Sequence, residues 1–144
     1  MQSGRKWSGI AALACSLFVL SLNAAWGGGP APAEVVQKYY GAFQKRDFSE
    51  AYQCISRGMR DGKSEAQWTE LMKGLFEGGN VVFTGVSVTP GPVSEKQAQV
   101  NSVVNSKDSF NKNGLIEHNV EHLILENGLW KLDRTELKES KIIE

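Results

Sequence analysis

The sequence predicts an α+β domain: three N-terminal helices packed on a curved, four-stranded antiparallel meander, cone-like in outline and preceded by a signal segment. Three observations predict it. Apolar residues recur at spacings of three and four through the first half of the region after Gly29, the period shifts to two in the second half, and Asn-Gly dipeptides punctuate that half. A chain of 144 residues with 41% hydrophobic and 22% charged content can build one such domain around a core of its own.

The N-terminus is set apart from the fold. Arg5 and Lys6 form a positive start, residues 9–25 carry no charge, and small residues and prolines follow from Ala24 to Pro32. Positive, apolar, small and helix-breaking is the order of a secretory signal. Residues 1–25 are therefore expected to be a signal peptide, cut near Ala24 or Ala25. Two other readings stay open. The run is at the short edge of a spanning helix, so it is also legible as a retained membrane anchor. Ala12-Leu13-Ala14-Cys15 resembles a lipoprotein box in which Cys15 takes the lipid, although Ala12 stands where leucine is usual and the apolar run continues past Cys15. The expected location is the periplasm or cell envelope of a bacterium, with membrane contact only through this segment if it is retained or lipidated. Residues 26–33 read as a Gly/Pro linker, 34–136 as the domain, and 137–144 as a loose charged tail.

Pro32 suits a first helical turn, and residues 33–46 continue as a helix with Val36, Tyr39, Tyr40 and Phe43 in one stripe. Asp47 can cap a second helix through Ser56. Ser64-Glu65-Ala66-Gln67 fits a capping box for a third, which carries Trp68, Leu71, Met72, Leu75 and Phe76 and ends at Gly78-Gly79. Residues 80–89 read as a strand stopped by Pro90-Gly91-Pro92. Residues 95–109 are a long strand with Ala98, Val100, Ser102 and Val104 on one face. Asn113-Gly114 and Asn127-Gly128 mark the hairpins around a strand at 115–126, and a last strand covers 129–135.

The segments Pro32 to Phe43, Asp47-Phe48-Ser49-Glu50-Ala51-Tyr52 and Asn127-Gly128-Leu129-Trp130-Lys131-Leu132 resemble those of the nuclear-transport-factor-2-like (cystatin-like) superfamily, and within it the small exported bacterial domains of unassigned function. The resemblance covers nearly all of residues 33–136. It implies a sheet closing on a pocket, and it implies no one activity, because such domains include isomerases, dehydratases, ligand binders and accessory domains.

Without Arg5 and Lys6 the chain is slightly acidic and has no basic stripe, so nucleic acid is not an expected partner. His118 and His122 share a strand face but lie about 13 Å apart along it. One metal ion does not bind both at that distance unless a bulge brings them closer, so no metal is expected, and without a P-loop or dinucleotide fingerprint no cofactor is expected. Either imidazole is a candidate pocket base, although a structural role is the commoner one. Glu117, Asn119 and Glu121 take the opposite face, where a solvated surface explains them most cheaply. Both faces of this strand are mixed, so its pattern leaves the inward face open. Trp130, Leu132 and Arg134 are expected to share a face, with Arg134 at the pocket rim. Tyr39, Tyr40, Phe43 and Trp68 complete the pocket candidates. Cys54, alone once the leader is removed, reads as a small buried apolar residue. The expected function is non-catalytic binding of a small apolar ligand or a protein, including a homodimer through the Gln/Asn-rich sheet face. The alternatives are an acid–base enzyme of isomerase or dehydratase type, pairing an imidazole with a first-helix tyrosine, and a structural envelope lipoprotein.

Overall fold

The structure is a computed structural model that describes residues 29–144. The expected signal segment with Cys15 lies outside the described residues. Helix α1 spans Pro32–Gln44, and Glu34 closes its first turn by accepting the Ala31 N–H at 2.8 Å. Helix α2 (Phe48–Cys54) is capped by Asp47, whose carboxylate accepts the Glu50 N–H. A one-turn helix not foreseen from sequence, α3 (Arg57–Arg60), follows because Ser56 caps the Met59 N–H and Asp61 takes a left-handed conformation behind it. Helix α4 (Glu65–Gly78) opens with the Ser64/Gln67 capping box.

The strands β1 (Val82–Val93), β2 (Gln97–Lys107), β3 (Leu115–Glu126) and β4 (Leu129–Ile142) form one antiparallel sheet in the order β1-β2-β3-β4. Two expectations need correcting. Pro90-Gly91-Pro92 does not stop β1, which runs on to Val93 with a register shift between Pro90 and Val93. β1 is an edge strand, where a proline removes no ladder hydrogen bond, and Gly91 lets the backbone pass close to Gln99. The charged segment expected as a loose tail is the second half of β4, paired with β3 as far as Leu115↔Ile142. Its Lys/Glu content suits an edge strand, which charges protect from adding to other chains.

The helices cover one face of the sheet. Val36, Tyr40 and Phe43 of α1, Ala51 of α2 and Trp68 of α4 pack onto Val100 and Val104 of β2, Leu123 of β3, and Trp130 and Leu132 of β4. Phe43 is at the centre of an aromatic cluster, with Tyr39, Phe48, Trp68, Phe76 and Phe83 at centroid distances of 4.8 to 6.1 Å. Ile55 bridges to Leu132, so the turn after α2 is tied to the sheet.

Two bulges in β4 decide which residues face that core. Asp133 and Lys138 are extra residues opposite β3, between the pairs Leu132↔Leu123 and Arg134↔His122 and between Leu137↔Asn119 and Glu139↔His118. A bulge shifts the alternation by one residue. Trp130 and Leu132 point inward, and after the first bulge Thr135 and Leu137 do so. Arg134 falls on the other face, beside His122.

Candidate functional site

On the helix side of the sheet lies a hollow of about 280 Å³. Its wall is apolar: Tyr39, Tyr40 and Phe43 from α1, Met72 and Phe76 from α4, Phe83 from β1, Val104 from β2 and Leu137 from β4. The polar lining comes from the sheet, as Glu117 and Asn119 of β3 and Thr135 of β4. A concave apolar wall with a few convergent polar groups is the usual build of a small-molecule site, and this volume falls just below the usual range of about 300–1,000 Å³.

A buried carboxylate supports the hollow. Glu121 is fully buried and accepts three hydroxyl hydrogen bonds. Tyr40 donates to Oε1 at 2.6 Å, Ser102 to Oε1 at 2.7 Å, and Thr135 to Oε2 at 2.6 Å. These lengths are those of charge-assisted O–H···O⁻ bonds. Three elements therefore converge on one side chain, and two of its donors, Tyr40 and Thr135, also line the hollow. Asn119 differs. It is 7% exposed, and its carboxamide has no hydrogen-bond partner among the described residues.

Burial, reinforced by the charge of Glu121, pushes both Tyr39 and Tyr40 above their ordinary value of 10.0. The folded protein thus holds phenolic protons that the unfolded chain releases near pH 10. Their contribution is complete below that pH. Above it stability falls, by about 1.4 kcal/mol per pH unit for each tyrosine until the folded protein also titrates. Tyr40→Phe is expected to flatten the decline by that amount, measured as urea midpoints at intervals between about pH 9 and 11.5.

The fold separates the sequence-derived candidates. Tyr39, Tyr40 and Phe43 line the hollow. Trp68 is buried behind them against Phe43 and Tyr52, and Trp130 is buried in the core. His118, His122 and Arg134 are on the opposite face of the sheet. His118 is exposed, and His122 sits 2.9 Å from Glu136, which also meets Arg134 at 3.8 Å and Lys138. The hydrogen bonds from Lys138 and then from His122 hold the Glu136 carboxyl down to about 2. No imidazole faces a first-helix tyrosine, because the even-numbered residues of β3 point away from the helices. The solvated face expected for Glu117, Asn119 and Glu121 is instead the inner one. Cys54 is buried, and burial pushes its thiol up. Among the described residues no group of three or more His, Cys, Asp or Glu could hold a metal ion.

A second hollow of about 300 Å³ lies on the His122 side of the sheet, near Pro92, Gln97, Gln99 and Ile124. Gln97 and Gln99 are exposed, and the aromatic wall of the first hollow has no counterpart there.

The arrangement of four helices over a bulged four-stranded meander is similar to that of a ketosteroid isomerase-like protein from Erwinia carotovora atroseptica SCRI1043, with a TM-score of 0.53 and 16% identity over 75% of this chain and 95% of that one. The chain has the nuclear-transport-factor-2-like fold. A scytalone dehydratase-like protein from Novosphingobium aromaticivorans DSM 12444 is also similar, with a TM-score of 0.49 and 17% identity over 77% of this chain and 84% of that one. No family profile and no curated protein matches the sequence. In this fold the inner hollow is lined by α1, α4 and the sheet. The residues that line it from β3 and β4 are ones whose inward direction depends on register and bulges.

Proposed function

We propose that the domain binds a small, largely apolar molecule in the hollow between α1, α4 and the sheet, outside the cytoplasm, and releases it unchanged. The observation that carries this reading is the aromatic wall together with Asn119, which lines the same hollow and whose carboxamide makes no hydrogen bond with the other described residues. The carboxamide is accessible from the hollow and has no partner there, so a ligand that enters can hydrogen-bond to it without displacing a protein group. Turnover is disfavoured because Glu121, the carboxylate nearest to a reactive role, already has both oxygens occupied by hydroxyl donors. The proposed location rests on the charge and hydropathy order of residues 1–25, and mass spectrometry of the mature N-terminus separates cleavage, lipidation at Cys15 and retention.

The experiment is a fragment screen with small aromatic alcohols, ketones and amines, read by thermal shift and followed by mass spectrometry of the recovered compound. Binding without conversion is expected. Leu137 lines the hollow and is 53% exposed, so Leu137→Trp can cover it at little cost to the core. This variant is expected to lower fragment affinity at least about tenfold while moving the unfolding free energy by less than about 1 kcal/mol. Undiminished binding by Leu137→Trp contradicts the assignment.

A second reading, acid–base catalysis, is favoured by one observation: Tyr40 lines the hollow and its hydroxyl is 2.6 Å from Glu121. It requires deuterium exchange at the α-carbon of a bound ketone in heavy water, abolished in Tyr40→Phe. The binding reading expects no exchange above the uncatalysed rate.

A further inference from the structure

Among the residues lining the hollow, Glu117 is the sole charged one, and it forms no ion pair or side-chain hydrogen bond among the described residues. The other carboxylates near the sheet centre differ in this respect. Glu121 is saturated by hydroxyls on the inside, and Glu136 is engaged by His122, Arg134 and Lys138 on the outside. Register places Glu117 opposite Val104 on β2 and Ser140 on β4, and Asn119 opposite Ser102 and Leu137. Neither side chain has a cation beside it from those strands. Two residues apart on one strand, Glu117 and Asn119 face the same way, toward the aromatic wall of Tyr39, Tyr40, Phe43 and Phe76. The hollow thus has an apolar end and an end that offers an open carboxylate and an open carboxamide oxygen.

From this geometry we infer that the ligand is an apolar amine: a compact aromatic or aliphatic body with an ammonium head that donates to Glu117 and Asn119. An ammonium group has donors and no acceptor, which matches two acceptors in need of partners. The aromatic rings add cation–π attraction for the same head. An acid of the same shape is repelled by Glu117, and an alcohol meets the carboxamide without gaining the charge–charge term. The inference rests on the reading of the hollow as a binding site, and its test keeps the two apart.

The test is titration calorimetry of the full mature chain with three probes of one shape: 2-phenylethylamine, 2-phenylethanol and phenylacetate. The amine is expected to bind about tenfold more tightly than the alcohol, and phenylacetate most weakly. Glu117→Gln is expected to erase the amine's advantage over the alcohol. Asn119→Leu is expected to weaken both amine and alcohol, because it removes the carboxamide that both meet. Phenylacetate binding as tightly as the amine overturns the amine assignment. So does an amine advantage that survives Glu117→Gln. If the alcohol still binds wild type and fails to bind Leu137→Trp in either case, the hollow remains the binding site and only the ligand class is wrong. Absence of binding by all three probes overturns both readings.

Discussion

Replacing Glu121 by leucine is expected to lower the unfolding free energy by about 4 kcal/mol, and replacing it by glutamine by about 2 kcal/mol. Leucine leaves Tyr40, Ser102 and Thr135 as three buried donors without their acceptor, each costing roughly 1–3 kcal/mol. Relief from desolvating a carboxylate offsets part of that sum, because buried charges are expensive even when paired. Glutamine keeps the shape. Its amide oxygen can still accept from Tyr40 and Ser102, but its NH₂ then meets the Thr135 hydroxyl donor to donor. That hydroxyl can rotate to accept, which is why the glutamine cost is smaller. Urea unfolding measures both variants. The double variant Tyr40→Phe/Glu121→Leu is expected to lose less than the two single losses together, since leucine already deprives the Tyr40 hydroxyl of its acceptor. A midpoint in Glu121→Leu equal to or above wild type would mean that the carboxylate is a net burden held for function.

Phe43→Ala is expected to cost about 3–5 kcal/mol, in the range for a buried aromatic truncated to a methyl group. Phe43 is 4% exposed and touches aromatic rings from α1, α2, α4 and β1. Its loss therefore loosens every helix–sheet contact around the hollow at once. Phe43→Leu retains much of the volume and is expected to cost about 1–2 kcal/mol. Because Phe43 also lines the hollow, the leucine variant is expected to accept a probe one methylene larger than wild type does. If both variants unfold at the wild-type denaturant concentration, the aromatic cluster is not the core described above.

The elements that were legible in the sequence are those with local signals. The α1 stripe, the Asp47 and Ser64 caps and the clean alternation of Ala98, Val100, Ser102 and Val104 each fix a face without knowledge of the rest. Asn127-Gly128 is equally local: both residues take positive φ in a two-residue turn. The inward face of β3 was not legible, because Leu115, Leu123 and Leu125 compete with Ile116, Val120 and Ile124 for it. Only pairing with β2 decides the matter, through Val100↔Glu121 and Val104↔Glu117, and the long connection before Leu115 leaves that register unwritten. The direction of Arg134 depends on the bulge at Asp133, which has no sequence mark of its own. The site was missed for this reason: Glu117, Asn119 and Glu121 look like a solvated row until the neighbouring strand assigns them to the inside. Leu137 was missed with them, since a charged run hides the continuation of β4.

The account stands on the inner hollow as the place where a ligand sits. Intermolecular nuclear Overhauser contacts with bound 2-phenylethanol, on methyl-labelled protein, test this most directly. The account predicts contacts from the phenyl protons to the methyl groups of Met72, Val104 and Leu137. Contacts confined to Ile124 and Val93, which line the second hollow, would contradict it.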